Sequence, residues 1–131
     1  MSRRLAFSVS LVVTVAACHD RGGPAGTYRL HDVNGSPLPA LASHHVRGQT
    51  EIIDGAFTLD TDGSYRARIL FRVTSDSVVY LDSATHIGRY ASRRDSLIFL
   101  APTGDIVNAE GQLLGPLLTF RYPGWTFVYR R

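Results

Sequence analysis

The sequence is short of cysteine, lysine and methionine. It has one cysteine, Cys18, one methionine and no lysine, so all fourteen basic residues are arginine. A single cysteine excludes an intramolecular disulfide, although an exported domain of this size often has one. An unpaired cysteine in an exported chain needs its own explanation. Its position, directly after a long apolar run, supplies one.

The sequence also lacks a strong excess of charge. The formal net charge of +3 includes Arg3 and Arg4, and from Cys18 onward twelve arginines face eleven acidic residues, which leaves +1. A nearly neutral chain has no broad positive field to hold phosphate backbones, so we expect no nucleic-acid binding. With 131 residues, 44% hydrophobic and 19% charged, the composition indicates one globular domain.

The first seventeen residues are typical of a secretory signal peptide. A short positive segment, residues 1–4, precedes an apolar run over residues 5–17. This run is too short to span a bilayer, which needs about 20 apolar residues. We therefore expect residues 1–17 to direct export.

The end of this segment predicts a lipid anchor. The tetrapeptide Val15-Ala16-Ala17-Cys18 resembles the lipobox of bacterial lipoproteins. That resemblance implies acylation of the Cys18 sulfur, cleavage before Cys18 and attachment to the cell membrane or outer membrane. His19 stands where an Asp often signals inner-membrane retention, which favours the outer membrane. The alternatives are release as a soluble protein by ordinary signal peptidase, and an uncleaved anchor.

The rest of the chain predicts an antiparallel β-meander. Residues 18–25 read as a lipidated Cys and tether, and residues 26–131 as one domain without a sustained helical period. Turn signals recur between apolar stretches at 34–35, 60–63, 74–77, 93–95, 102–105, 109–111 and 122–124. About eight strands fit between them, and a sheet of that size hides its edges most simply by closing into a barrel.

Two strands are clear from period-two alternation. In residues 64–74 the apolar face alternates with an arginine face of Arg66, Arg68 and Arg72. Residues 125–130 alternate in the same way, and residues 96–100 and 117–122 are expected to join the same sheet. The segment 37–48 contains two prolines, which argue against a central strand, so we expect it to cover one end of the sheet.

Three stretches resemble one family. Gly26-Thr-Tyr28-Arg-Leu30-His-Asp-Val33-Asn34-Gly35-Ser-Pro37-Leu38-Pro39, Phe57-Thr-Leu59-Asp-Thr-Asp62-Gly63-Ser-Tyr65 and Phe127-Val-Tyr129-Arg130-Arg131 resemble small lipocalin-like (calycin-type) bacterial lipoproteins. The resemblance implies an eight-stranded up-and-down barrel whose interior holds one small apolar ligand. Side chains expected to point inward, as core and as candidate ligand-binding residues, are Tyr28, Tyr65, Phe71, Tyr90, Trp125 and Phe127.

Polar candidates are weaker. His44 and His45 are adjacent and so point to opposite faces of a strand, and metal binding would need His31 or His86 as well; surface histidines are the simpler interpretation. Residues 60–63 begin like a calcium loop but lack its later ligands, which favours a hairpin turn. The arginine stripe suits a solvated face, or binding of an anionic lipid head or polysaccharide.

No combination of residues predicts catalysis. There is no Gly-x-Ser-x-Gly motif, and Asp82 with His86 is an isolated pair. We therefore expect a non-enzymatic, membrane-tethered envelope lipoprotein without metal or other cofactor, which binds a small apolar or amphiphilic ligand or an envelope protein. The alternative is a structural or protein-interaction lipoprotein, inhibitor-like, that has no cavity and uses loops such as residues 37–48.

Overall fold

The structure, a computed structural model, describes residues 23–131 apart from the side chains of Ile106 and Asn108. These residues form strands and turns, and the predicted all-β fold is confirmed. The strands are β1 (Gly26–Val33), β2 (Ser36–Pro37), β3 (Ala40–His45), β4 (Gly48–Leu59), β5 (Ser64–Ser75), β6 (Val78–Arg93), β7 (Ser96–Leu100), β8 (Ile106–Leu114), β9 (Leu117–Tyr122) and β10 (Trp125–Arg130). None of the described residues belongs to a helix with the length and hydropathy that crossing a membrane requires.

Eight of the strands close into an antiparallel barrel. Strands β4 to β10 pair in chain order, and β1 pairs with β10 on one side and with β4 on the other. The result is the predicted up-and-down barrel, with β2 and β3 as two short additions. Closure satisfies the backbone groups that an open eight-stranded sheet would expose at its edges.

The barrel has two distinct ends. The N-terminal end holds the turns at 60–63, 94–95 and 115–116, and there the Arg131 guanidinium donates to the Ala25 carbonyl at 2.8 Å while the Arg131 amide donates to the Pro116 carbonyl at 2.9 Å. The far end holds the turns at 34–35 and 123–124 and the loop 101–105. Each end thus contains a different set of loops.

Aromatic side chains dominate the core. The ring of Phe57 lies 5.3–5.5 Å, between centroids, from four other rings, those of Tyr65, Phe99, Phe120 and Tyr129. Tilted and edge-to-face rings at such distances contribute about 0.5–1.5 kcal/mol per pair beyond their burial. The buried core comprises Tyr28, Leu30, Val33, Ala40, Ile52, Phe57, Leu59, Tyr65, Leu97, Phe99, Ala109, Leu118, Phe127 and Tyr129.

Strand β5 has the alternation that the sequence predicts. Tyr65 is buried and stacks on Phe57, whereas Arg66 and Arg68 are exposed on the outer face. Arg72 lies on the same outer face and its Nη2 is 2.8 Å from a carboxylate oxygen of Glu51 on β4. A register slip of one residue would bury the arginines, which is why the pairing is well specified.

The predicted turn at residues 109–111 is wrong, because these residues lie inside β8. Gly111 does not bend the chain, and its missing side chain instead makes room for a ring, because a Cβ there would lie 2.8 Å from Cε2 of Phe99. The chain reverses later, at Gly115 and Pro116, between β8 and β9.

The expectation for residues 37–48 is wrong in part. The segment is not simply an irregular cover, because residues 40–45 form β3 and pair with β4. Both prolines avoid central positions: Pro37 lies in the two-residue β2 at one edge, and Pro39 precedes β3. Strand β3 therefore extends one side of the barrel beyond the far end, together with the first residues of β4, the last residues of β5 and the first residues of β6.

Candidate functional site

An apolar cavity of about 460 Å³ lies inside the barrel. This volume falls within the range of about 300–1,000 Å³ that is usual for small-molecule sites. The side chains that line it come from β4, β5, β6, β8, β9 and β10. They are Phe57, Tyr65, Ala67, Ile69, Ala84, His86, Val107, Ala109, Phe120, Tyr122, Trp125, Phe127 and Tyr129.

The base of the cavity is the aromatic cluster of the core. Phe57, Tyr65, Phe120 and Tyr129 face it from below, and their rings also contact one another. On one side the indole of Trp125 stacks on the ring of Phe127, with centroids 5.9 Å apart and an interplanar angle of 17°. A ligand would thus meet ring faces and ring edges that neighbouring side chains already hold in place.

The cavity opens at the far end of the barrel. Ala84, His86 and Tyr122 are exposed and Trp125 is half-buried, and we call these four residues the mouth. The mouth exists because β7 is short: it pairs with β6 only from Arg89 onward, while β6 continues upward to Val78. The N-terminal residues of the domain lie at the opposite end.

The described lining of the cavity contains no carboxylate and no guanidinium group. Burial raises the pKa of the Tyr65 and Tyr129 hydroxyls above the ordinary value of 10, so both stay protonated. The His86 imidazole and the Tyr122 hydroxyl lie at the mouth, where both side chains are exposed. This arrangement suits an uncharged apolar body whose polar end, if it has one, stays at the mouth.

The six inward-pointing candidates separate into two groups. Tyr65, Trp125 and Phe127 line the cavity. The other three lie elsewhere: Tyr28 is fully buried and donates its hydroxyl to the Pro24 carbonyl at 2.7 Å, Tyr90 donates to the Asp60 carbonyl at 2.6 Å, and Phe71 packs above the cavity on the extended part of β5.

Sequence reasoning missed most of the cavity lining. Phe57, Phe120 and Tyr129 belong to strands or motifs that the pattern identified, and period-two alternation from Trp125 also places Tyr129 inward. No alternation of apolar and polar residues marks Ala84 and His86 as inward-pointing, because the first half of β6 is exposed on both faces. Only barrel closure brings them opposite Trp125.

The polar candidates do not come together. His44 and His45 are exposed on β3, and Asp82 and His86 lie on one face of β6 but four residues apart, which is roughly 13 Å in an extended strand. Among residues 23–131, no group of three or more His, Cys, Asp and Glu side chains is arranged to hold a metal ion. Residues 60–63 form the predicted turn, with Gly63 at φ +85° and Asp62 accepting the Ser64 amide at 2.9 Å.

Fold and cavity together define a small antiparallel β-barrel with an apolar interior that opens at one end. No protein-family model, no curated protein and no solved structure matches the chain. Residues 1–22, which include the predicted signal segment and Cys18, lie outside the described residues.

Proposed function

We propose that this protein is a membrane-tethered lipoprotein of the cell envelope, of the lipocalin-like kind, whose barrel binds a small apolar or amphiphilic molecule. The observation that carries the proposal is the apolar cavity with its mouth at the end opposite the N-terminus. A barrel filled throughout by side chains would offer no such space.

The lining residues favour a ligand with a compact, uncharged body. Seven of the thirteen described lining residues are aromatic, and their rings can bind flat rings or acyl chains through close packing and ring-edge contacts. Polar groups at the mouth are the His86 imidazole, the Tyr122 hydroxyl and the Trp125 indole N–H, which can meet a polar end of the ligand. An amphiphile would therefore enter with its apolar end first.

The proposed lipid anchor would set the orientation of the mouth relative to the membrane. Four residues lie between Cys18 and Gly23, and the five Cα-to-Cα steps that join the two span at most about 18 Å. Gly23 belongs to the N-terminal end of the barrel, where its carbonyl accepts from Arg131. An acylated Cys18 would thus hold that end near the membrane, with the mouth directed away from it.

Ligand binding can be measured by the fluorescence of Trp125 at the mouth. Trp125 is the only tryptophan in the chain, so energy transfer from it to the uncharged fluorophore N-phenyl-1-naphthylamine reports on this site. We expect saturable transfer in the parent protein. Ala67→Phe fills the cavity from β5 and should weaken binding by about tenfold or more.

The matched control is Ala56→Phe, because Ala56 lies on the outer face of β4, paired with Arg68. It should bind as the parent does. Equal binding by both variants, or no saturable transfer in the parent, would contradict a ligand site inside the barrel. The latter result would favour the protein-interaction alternative, for which the fully exposed Val46 and the exposed Leu41 of the β3 region are the natural contacts.

The anchor has a separate test. Mass spectrometry of the mature N-terminus should find an acylated Cys18, and Cys18→Ser should move the protein from the membrane fraction to the soluble fraction or leave it unprocessed. A free thiol at Cys18 in a soluble protein would refute the anchor while leaving ligand binding untouched.

A further inference from the structure

The outer edge of β6 is open along most of its length. On one side β6 pairs with β5 without interruption, from Val78 opposite Ser75 to Arg89 opposite Ser64. On the other side β7 pairs only with Arg89–Arg93. Within the described part of the chain, residues 78–87 thus have no strand beside them on that edge, and we call this segment the β6 edge.

The backbone of the β6 edge offers regularly spaced hydrogen-bonding groups. The Tyr90 amide donates to the Gly63 carbonyl on the β5 side at 2.8 Å, and the register from there to the hairpin tip has no bulge. Backbone N–H and C=O groups alternate in direction along a strand. Those of the even-numbered residues therefore point toward β5, and those of the odd-numbered residues point away from it, toward the open side. The Ser83 amide fits this alternation, since it donates to its neighbour's carboxylate, Oδ1 of Asp82, at 2.8 Å.

The sheet edges that β2 and β3 form are protected, and the β6 edge is not. Strand β2 has two residues and contains Pro37, while β3 is short, follows Pro39 and has an irregular register between Leu41 and Ser43. These are the usual devices that prevent edge-to-edge pairing. The β6 edge has no proline, no lysine and no bulge, and its apolar side chains are 59–62% exposed at Val78, Val79, Leu81 and Ile87.

We propose that the β6 edge pairs with the β6 edge of a second copy of this chain, antiparallel about a two-fold axis at Ala84. The pairing joins the β3–β4–β5–β6 sheets of both copies into one continuous sheet. Its formation requires neither a bound ligand nor the lipid anchor, and it places the second copy beside Ala84 and His86, which also belong to the mouth.

A second copy fits because the sequence of this edge matches its own reverse. Leu81 and Ile87 stand three residues on either side of Ala84, and the small residues Ser83 and Thr85 flank it. Antiparallel pairing about Ala84 places Leu81 opposite Ile87 and Ser83 opposite Thr85, so similar side chains become cross-strand neighbours. It also places Asp82 of each copy opposite His86 of the other, so a carboxyl group and an imidazole face each other on both sides of the axis.

Sedimentation velocity of the full chain, in a mild detergent at matched density, tests the proposal. We expect a monomer–dimer equilibrium that shifts with protein concentration. Ser83→Pro removes an outward donor that β5 does not use, and Ile87→Lys places a charge on the edge. Each change occurs twice in a symmetric dimer, so each should weaken association by about tenfold or more.

The matched control is Ile98→Lys, because Ile98 is an exposed isoleucine of β7, a strand with neighbours on both sides. It should dimerise as the parent does. Circular dichroism distinguishes loss of the dimer from loss of the fold in Ser83→Pro, and Ile87→Lys tests the same edge at an exposed position. A parent that is monomeric at all concentrations, or dimers of Ile87→Lys as strong as those of the parent, would overturn the proposal.

Discussion

Tyr129 shows how burial controls the chemistry of single residues in this barrel. Its side chain is 1% exposed, at the base of the cavity and in contact with Phe57. Burial raises the pKa of its hydroxyl above the ordinary value of 10, with no charged neighbour involved. The protein therefore keeps a neutral hydroxyl where an ionised one would cost several kcal/mol.

This burial predicts a loss of stability at alkaline pH. Below pH 10, Tyr129 is neutral in both the folded and the unfolded chain, so its favourable contribution is fully present. Above about pH 10 the unfolded chain ionises first, so the free energy of unfolding falls as the pH rises toward the folded-state pKa. Tyr129→Phe should make that fall shallower, as measured by urea denaturation between about pH 8 and 12.

Tyr80→Phe is the control for this experiment, since Tyr80 is 51% exposed near the tip of the β5–β6 hairpin. It should leave the alkaline slope as in the parent. If Tyr129→Phe and the parent lost stability equally steeply, the buried hydroxyl would not be the group that ionises.

Glycine residues show where residue-level prediction succeeds and where it fails. Gly63 was predicted to lie in a turn and has φ +85°, a conformation that favours glycine. Gly111 gave the same signal but lies in β8 beneath Phe99. A local pattern identifies a glycine that bends the chain. It does not identify a glycine that is required because a ring from another strand packs against it, since that contact depends on the tertiary structure.

At the scale of single elements, the β5–β6 hairpin has a strained turn. Its two turn residues, Asp76 and Ser77, have φ +49° and +68°. Two-residue hairpin loops of this kind favour Asn-Gly or Asp-Gly, because side chains with a Cβ disfavour positive φ. In the turn after β1 the same two positions are Asn34 and Gly35, so Ser77 stands where that turn has a glycine.

Ser77→Gly should therefore stabilise the protein, by about 0.5–1 kcal/mol in the free energy of unfolding. Ser92→Gly is the matched comparison, because Ser92 is an exposed residue inside β6 where glycine loses strand entropy, and it should destabilise by a similar amount. Urea midpoints of the two variants would measure the difference. A lower midpoint for Ser77→Gly than for the parent would contradict the assignment of strain to this turn.

Strands with one buried face were predictable, and strands exposed on both faces were not. The bounds of β7, β9 and β10 coincide with their sequence predictions, and β5 differs by one residue. By contrast, residues 78–87 are exposed on both faces, so no alternation marks which side of β6 turns inward. Ala84 and His86, two of the mouth residues, belong to that stretch.

For the whole molecule, barrel closure makes the site. Strand β1 joins β10 to β4, and this pairing brings side chains from six strands around one apolar space. The sequence predicts an apolar interior from period-two alternation but not its volume, because the volume depends on small residues such as Ala67, Ala84 and Ala109 all lining one space. Their positions follow from register, which no single strand specifies.

The most direct measurement of the central claim, that the barrel interior is a ligand site, is native mass spectrometry of the protein purified from its own envelope fraction. We predict a population that carries a non-covalent small-molecule adduct, which collisional heating releases. The adduct should persist in Ala56→Phe and be lost in Ala67→Phe. The same bare protein mass for the parent and both variants, under conditions gentle enough to preserve folded charge states, would contradict the claim.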